Sequence, residues 1–140
     1  MRPDKDNYYL NIAKAVAQRS TCLRKQYGAV IVANDEIIAT GYNGAPRGEV
    51  NCCDAGVCYK STHSKPIDSG AAMHGQQYGI CVAVHAEQNA IISAPRHAMV
   101  GATLYLACLD KNTNPTPCNI CDRMIKNAGI TRVVARGARL

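Results

Sequence analysis

Side chains that bind zinc occur in two short motifs that lie far apart in the chain. His85 stands two residues before Glu87, and Cys118 and Cys121 follow directly after Pro117. Side chains three residues apart share one side of a helical turn, so the two thiols can bind one tetrahedral zinc ion. If His85 is the third ligand, the fourth position stays open for water, which is the arrangement of a catalytic zinc.

Glu87 is the residue that we expect to carry protons in such a site. A carboxylate beside an open zinc position can take a proton from the water and leave a hydroxide. The His-x-Glu and Pro-Cys-x-x-Cys motifs resemble those of zinc nucleobase deaminases, and this resemblance implies that the hydroxide attacks C4 of a cytosine base. Glu87 would return protons to N3 and to the departing amine. Because His85 and Glu87 are two residues apart, they do not share a helix face. Both reach the metal only if the first turn of a helix points at the site.

Each half of the pattern also has a simpler interpretation. A Cys-x-x-Cys pair alone is typical of a structural zinc knuckle or a redox pair, and a lone histidine on a helix is commonly a packing residue. The joint pattern, with a proline before the first cysteine, a carboxylate beside the histidine and both motifs at helix starts, is more specific. It favours the catalytic interpretation.

The elements that must position these motifs follow from the spacing of apolar residues. Helical spacing over residues 6–19 predicts an amphipathic first helix, and strands at 28–33 and 36–42 around Asn34-Asp35 predict a hairpin. The rest of the predicted elements are a helix at 85–93, a strand at 102–108, a helix at 118–127 that Gly129 ends, and a strand at 130–135. This order predicts one α/β domain over residues 1–140, with helices packed on a mixed sheet.

Residues 43–80 and the overall composition point to metal binding. This stretch is rich in Gly, Pro, Ser, Cys and Asp and has no periodicity, and a loop that long inside a small domain is functional or is held by something. We expect its cysteines to hold it. The charged N-terminus lacks the apolar part of a secretion signal, so we expect the reducing cytoplasm, where clustered cysteines among the eight present favour metal ligands over disulfides.

Charge and hydropathy limit the class of partner. No apolar run reaches the roughly 18 residues that a membrane span needs. The formal net charge of +6 suits a polyanion, either a small phosphorylated ligand or a nucleic acid.

These motifs make the chain resemble the deoxycytidylate deaminases of the cytidine deaminase superfamily. The resemblance covers nearly the whole length and includes residues 28–32, 41–48, 51–54 and 85–90. It implies a three-layer fold with a mixed sheet of up to five strands between helices, and hydrolysis of dCMP to dUMP and ammonia, which supplies thymidylate synthesis. It also implies a homo-oligomer, often a hexamer, and allosteric control by dCTP and dTTP with magnesium.

The resemblance also assigns roles to residues of this chain. It places the catalytic zinc on His85, Cys118 and Cys121, the proton shuttle on Glu87, a nucleotide contact on Asn43 and a contact to the cytosine carbonyl on the backbone of Ala86. An Asn-Gly pair after a strand is also a favoured turn, so Asn43 has a structural alternative.

Similar chains carry a second, structural zinc that fixes the long loop. Its ligands would be Cys22, Cys52 or Cys53, Cys58 and Cys81, with His74 in reserve. Four thiolates with no open position make a closed site. The alternative is that some of these residues are simply buried thiols.

The chain departs from this family in two places. Residues 110–116 intervene between the strand that holds Tyr105 and the Pro-Cys pair, close to the expected pocket. Only four strands are predicted, so a fifth would be short or missing. For the substrate's phosphate, we expect charge-assisted hydrogen bonds from arginine, and Arg24 and Arg47 are the candidates.

Two rival functions remain open from the sequence. One is a base deaminase that acts on tRNA or another nucleic acid with the same zinc chemistry. The basic charge favours it, but the absence of Trp and Phe argues against a stacking surface, although seven tyrosines could compensate. The other is a non-catalytic module that binds zinc or nucleotides, against which Glu87 argues, because a scaffold has no use for a carboxylate beside an open zinc position.

Overall fold

The computed structural model describes residues 1–58 and 81–137, which form a sheet with helices on both of its faces. The helices are α1 (Lys5–Ala17), α2 (Cys52–Ala55), α3 (Ala86–Ser93), α4 (Arg96–Met99) and α5 (Asn119–Ala128). The strands are β1 (Tyr27–Ala33), β2 (Glu36–Tyr42), β3 (Thr103–Cys108) and β4 (Arg132–Arg136). Within these ranges, no helix has the length and apolar character to cross a membrane.

The four described strands form one mixed sheet in the order β2-β1-β3-β4. Strand β1 runs antiparallel to both β2 and β3, and β3 runs parallel to β4. The predicted hairpin is confirmed, because β1 and β2 pair around Asn34 and Asp35, which both adopt positive φ angles. Asn and Asp tolerate that conformation better than other non-glycine residues. The parallel pair needs a crossover connection, and α5 provides it.

Alternation along the strands divides the core into two layers. Val30 and Val32 of β1 pack with α1 on one face, in a cluster that includes Tyr105 of β3. Ala29 and Ile31 face the other way, into a cluster that contains buried residues of α3, α4 and α5. The result is a helix–sheet–helix sandwich, so the predicted three-layer α/β fold is confirmed.

Two glycines allow helices to lie directly on the sheet. A Cβ atom at Gly28 would lie 2.1 Å from the carbonyl oxygen of Ala13 in α1. A Cβ atom at Gly41 would lie 2.4 Å from both the carbonyl oxygen of Ala86 and the amide nitrogen of Ala90 in α3. Any larger residue would clash with helix backbone, so glycine is required at both contacts. Gly41 therefore sets the distance between β2 and the helix that begins with the His-x-Glu motif.

The structure differs from the predicted elements in several details. Short helices α2 and α4 were not predicted, and Pro95 both follows α3 and forms the N-cap of α4. Strand β4 begins at Arg132 and not at residue 130, because the amide of Ile130 still donates to the carbonyl of Ile125 at the end of α5. Gly129 ends α5 in the left-handed conformation, as predicted.

Candidate active site

Three predicted metal ligands meet where α3 and α5 begin. His85 is the N-cap of α3, Cys118 is the N-cap of α5, and Cys121 lies in the first turn of α5. The Nδ1 atom of His85 lies 3.6 Å from the Sγ of Cys118 and 3.3 Å from the Sγ of Cys121. All three ligand atoms lie within 4.8 Å of one another.

This donor set fits a tetrahedral zinc ion. Zinc–sulfur bonds of about 2.3 Å and zinc–nitrogen bonds of about 2.0–2.1 Å leave neighbouring tetrahedral ligand atoms roughly 3.4–3.8 Å apart. The two nitrogen–sulfur distances agree with that spacing to about 0.2 Å. Two thiols and one imidazole are also the ligand types that zinc prefers, and three protein ligands leave one position open.

The position of His85 explains how a spacing of two residues can serve one site. His85 has extended backbone angles and precedes the helix. The direction of its side chain is therefore not set by helix geometry, whereas that of Glu87 is. Its backbone N–H donates to Oε1 of Gln88 at 2.9 Å. The preceding residue, Val84, exchanges two backbone hydrogen bonds with Gly44, just beyond the end of β2. The histidine is therefore fixed from both sides.

The start of α5 arranges its two thiols in a similar way. The Sγ of Cys118 accepts a hydrogen bond from the backbone N–H of Cys121 at 3.4 Å, so the sulfur caps the helix. Cys121 is fully buried, and burial raises the pKa of its thiol, with the nearby Glu87 carboxylate acting in the same direction. A bound divalent cation has the opposite effect and deprotonates a coordinating thiol.

Glu87 is buried beside the ligand cluster and is not part of it. Its side chain is only 5% exposed, and burial raises the pKa of its carboxyl above the ordinary value. Hydrogen bonds with the backbone of Glu87 and with the side chain of Cys121 partly oppose that shift. A carboxyl that holds a proton more readily than usual, next to a metal site, is suited to general acid–base work.

A cavity of about 280 Å³ opens over this cluster. Its lining includes His85, Glu87 and Cys118, together with Ala86 and Asn43, the two residues predicted to contact the nucleotide. The structure thus places most of the residues of the predicted catalytic site around one space.

Asn43 holds the cavity wall together through its side chain. Its Oδ1 atom accepts hydrogen bonds from the backbone N–H of Tyr27 at 2.9 Å and from the hydroxyl of Ser20, and its Nδ2 donates to the carbonyl of Lys25 at 2.9 Å. These backbone partners fix which end of the amide is oxygen. An amide nitrogen has two hydrogens, and within the described ranges only Lys25 accepts one of them. One donor therefore remains at a residue that lines the cavity.

The cationic residues divide between the cavity and the surface. Arg24 lines the cavity, whereas Arg47 is exposed and is not among the described lining residues. Lys25 also lines the cavity, and sequence reasoning missed it. The only sequence feature that pointed to Lys25 was that it is a basic residue next to Arg24. From the 110–116 segment, Thr116 reaches the lining, so this segment does border the pocket.

The residues predicted to bind a second zinc are not gathered into one cluster. Cys22, Cys58 and Cys81 line the same cavity as the candidate catalytic residues, while Cys52 is buried and Cys53 is exposed. Among residues 1–58 and 81–137, the only group of three ligands close enough to share a metal is the one around His85. The reserve ligand His74 lies outside the described residues. The second site therefore stays a prediction.

Comparison with known proteins decides the family. The family model for the cytidine and deoxycytidylate deaminase zinc-binding region matches residues 3–136. This chain belongs to that family. The resemblance inferred from the motifs is thereby confirmed, and with it the zinc-binding character of the domain.

Individual relatives agree with this assignment. The deoxycytidylate deaminase of Mycobacterium phage D29 is 42% identical over 135 residues, which cover 95% of this chain and 94% of the relative. The deoxycytidylate deaminase of Schizosaccharomyces pombe is 36% identical over 95% of this chain but only 37% of its own length. Among solved structures, the dCMP deaminase of cyanophage S-TIM5 in complex with dCMP and dUMP superposes with a TM-score of 0.61. That match has 27% identity and covers 95% of this chain and 81% of the other.

Proposed function

We propose that this chain hydrolyses dCMP to dUMP and ammonia with the help of a zinc ion. The observation that carries the proposal is the single cavity lined by the His85 and Cys118 ligands, by Glu87 and by Asn43. Membership of the family and the names of the related enzymes support dCMP as the substrate. They favour it over a nucleic-acid base and over a role without catalysis.

The chemistry follows from the donors around the cavity. Zinc held by His85, Cys118 and Cys121 would supply the Lewis acidity that makes water nucleophilic at neutral pH. Glu87 would take a proton from the attacking water, deliver protons to N3 of the cytosine and to the exocyclic amine, and so allow ammonia to leave C4. The backbone N–H of Ala86, which lines the cavity, would donate to the cytosine O2 and hold the ring in place.

The sugar and phosphate would be recognised by other residues of the cavity lining. The remaining Nδ2 hydrogen of Asn43 would donate to a deoxyribose hydroxyl. Arg24 and Lys25 line the cavity and would bind the phosphate through charge-assisted hydrogen bonds. Arg47 was the second candidate from the sequence, and its exposure outside the lining makes it the weaker one.

A second zinc, bound by Cys22, one of Cys52 and Cys53, Cys58 and Cys81, with His74 in reserve, is also part of the proposal. The eight cysteines all lie in the described ranges and none of them forms a disulfide, which suits metal binding in the cytoplasm. Native mass spectrometry should find two zinc ions per chain in the wild type and one in Cys58→Ala, with Cys108→Ala as the matched control that keeps both. Two ions in Cys58→Ala would contradict this site.

Family membership also supports a homo-oligomer and regulation by dCTP and dTTP with magnesium. The same native spectra give the number of chains in the assembly. Titrating each triphosphate with magnesium into a dCMP assay at low substrate should change the rate. Rates that do not respond to either nucleotide would remove regulation from the proposal.

The reaction itself is tested by offering several substrates in parallel. Zinc-loaded protein is incubated with dCMP, dCTP, deoxycytidine, cytidine and a tRNA, and released ammonia is measured. We expect dCMP to give the highest kcat/KM. Turnover of the tRNA alone would establish the nucleic-acid deaminase, and no turnover of any substrate by zinc-loaded protein would establish a binding module.

A further inference from the structure

One aromatic side chain lies among the described residues that line the cavity, and it belongs to Tyr27. Tyr27 is the first residue of β1 and is the cross-strand partner of Cys108 at the end of β3. Nothing in the predicted zinc or phosphate chemistry uses it.

The register of β1 determines which way this ring points. Alternate residues of a strand face the same side, and Ala29 and Ile31 both pack in the layer that contains α3. Tyr27 shares their parity and is packed against the same cluster. Its ring is therefore on the α3 side of the sheet, at the end of the strand where the cavity opens.

The surroundings of the phenol agree with this placement. Burial raises the pKa of Tyr27 to about 12, and the thiol of Cys108 and the carboxylate of Glu87 contribute to the shift. Tyr27 is therefore neutral at physiological pH, so the residue that lines the cavity carries no charge. Asn43 holds the backbone of Tyr27 through two hydrogen bonds. The Oδ1 atom of Asn43 accepts from the N–H of Tyr27, and the backbone N–H of Asn43 donates to the carbonyl of Tyr27.

The other described lining residues offer no phenol, phenyl or indole ring. They are cysteines, alanines, the candidate zinc ligand His85, the polar residues Asn43, Glu87 and Thr116, and two cations. The chain has no Phe or Trp, and Tyr9 and Tyr105 pack on the opposite face of the sheet against α1. Stacking on an aromatic side chain is a common way for proteins to bind a nucleobase, because every base has a π-face.

We propose that Tyr27 is a base-binding residue whose ring stacks on the pyrimidine of the substrate. This inference rests on the proposed function, because it assumes a pyrimidine nucleotide in the cavity. It adds a residue that holds the base, separate from the groups that carry out the hydrolysis.

The test separates base binding from folding. We compare wild type with three zinc-loaded variants, which are Tyr27→Leu, Tyr27→Phe and the surface control Tyr8→Leu. For each protein we measure the Kd of dUMP, the inhibition constant of deoxyribose 5-phosphate, and the KM and kcat for dCMP. Tyr8 is 47% exposed on α1 and is not among the described residues that line the cavity. We expect Tyr27→Leu to weaken dUMP binding and raise the KM for dCMP about tenfold, as loss of one stacking partner does. Deoxyribose 5-phosphate should bind as before, and Tyr27→Phe should restore most of the dUMP affinity because it restores the ring face.

Several results would overturn the inference. Wild-type dUMP affinity in Tyr27→Leu would remove the stacking contact, and equal weakening of dUMP and deoxyribose 5-phosphate would indicate a purely structural residue. A Tyr27→Phe variant as weak as Tyr27→Leu would assign the effect to the hydroxyl. Tyr27→Val gives the same comparison if the leucine variant does not fold. Failure of the proposed function would give a different result. The dUMP affinities of wild type and the Tyr27 variants would follow the expected pattern, but wild type would release no ammonia from dCMP.

Discussion

Gly41 offers a direct test of whether the fold sets the geometry of catalysis. A Cβ atom at this position would lie 2.4 Å from the carbonyl oxygen of Ala86 and from the amide of Ala90. Ordinary contacts between such atoms need about 3.4 Å or more, so in Gly41→Ala the helix α3 must retreat by about 1 Å. Ala86 lies between His85 and Glu87, and the displacement therefore reaches both.

The expected size of the effect follows from that displacement. A misplacement of about 1 Å in a catalytic group lowers turnover by about 10²-fold. Overpacking of this kind lowers the free energy of unfolding by about 1–3 kcal/mol. For a chain of this size, that corresponds to a fall in Tm of roughly 3–12 °C. We would measure kcat with saturating dCMP well below the Tm, with zinc content determined on the same sample.

Gly28→Ala is the matched control. Its Cβ would lie 2.1 Å from the carbonyl of Ala13, so it displaces α1 on the other face of the sheet. We expect a comparable loss of stability with kcat close to wild type. If Gly41→Ala kept wild-type kcat while its Tm fell as in Gly28→Ala, the close contact of β2 with α3 would matter for stability alone, and the reasoning would be refuted.

Three further predictions follow from the site and its support. Glu87→Gln should keep its zinc but lower kcat about 10²- to 10⁴-fold, and near-normal turnover in a zinc-loaded sample would contradict the proton-transfer role. Arg24→Ala should raise the KM for dCMP and leave the reaction with deoxycytidine nearly unchanged, whereas equal losses for both substrates would assign Arg24 to the fold. Hydrogen bonds from Arg132 and Tyr105 hold the pKa of Asp6 below its ordinary value, so this carboxylate stabilises the native state above about pH 4 and the contribution is lost as pH falls further. The Tm of wild type should therefore fall more steeply below pH 4 than that of Asp6→Asn, and parallel curves would exclude the effect.

The proximity of two candidate zinc ligands was predictable because these two residues are close in sequence. Cys118 and Cys121 are three residues apart, and the first turn of a helix brings such residues together whatever the rest of the fold does. The sequence did not reveal that His85 and Cys118 are caps outside their helices, with extended backbones. That detail matters because the extended backbone of His85 lets its side chain reach the same site as Glu87, although helix geometry would place residues two apart on different faces.

The wall of the cavity was less predictable because it is assembled by tertiary contacts. Lys25 and Tyr27 carry no motif, and they reach the pocket only because residues 20–27 are bonded to the loop that follows β2. The 110–116 segment looked like an irregular insertion. In the structure, Asp110 accepts hydrogen bonds from the amide of Asn112 and the hydroxyl of Thr113, which gives the segment a defined local turn.

Asn43 shows why a structural and a functional interpretation of one residue need not exclude each other. The sequence offered a turn residue or a ligand contact as alternatives. Buried to 7% exposure, its amide bonds to Ser20, Lys25 and Tyr27 and thereby holds the segment that carries the proposed phosphate and base contacts. Among the described residues, only Lys25 accepts from Nδ2, so the same amide that shapes the wall has a second N–H that the proposed nucleotide contact would use. A substrate held there would bind to an atom whose position the fold has already fixed, which is what preorganisation of a binding site requires.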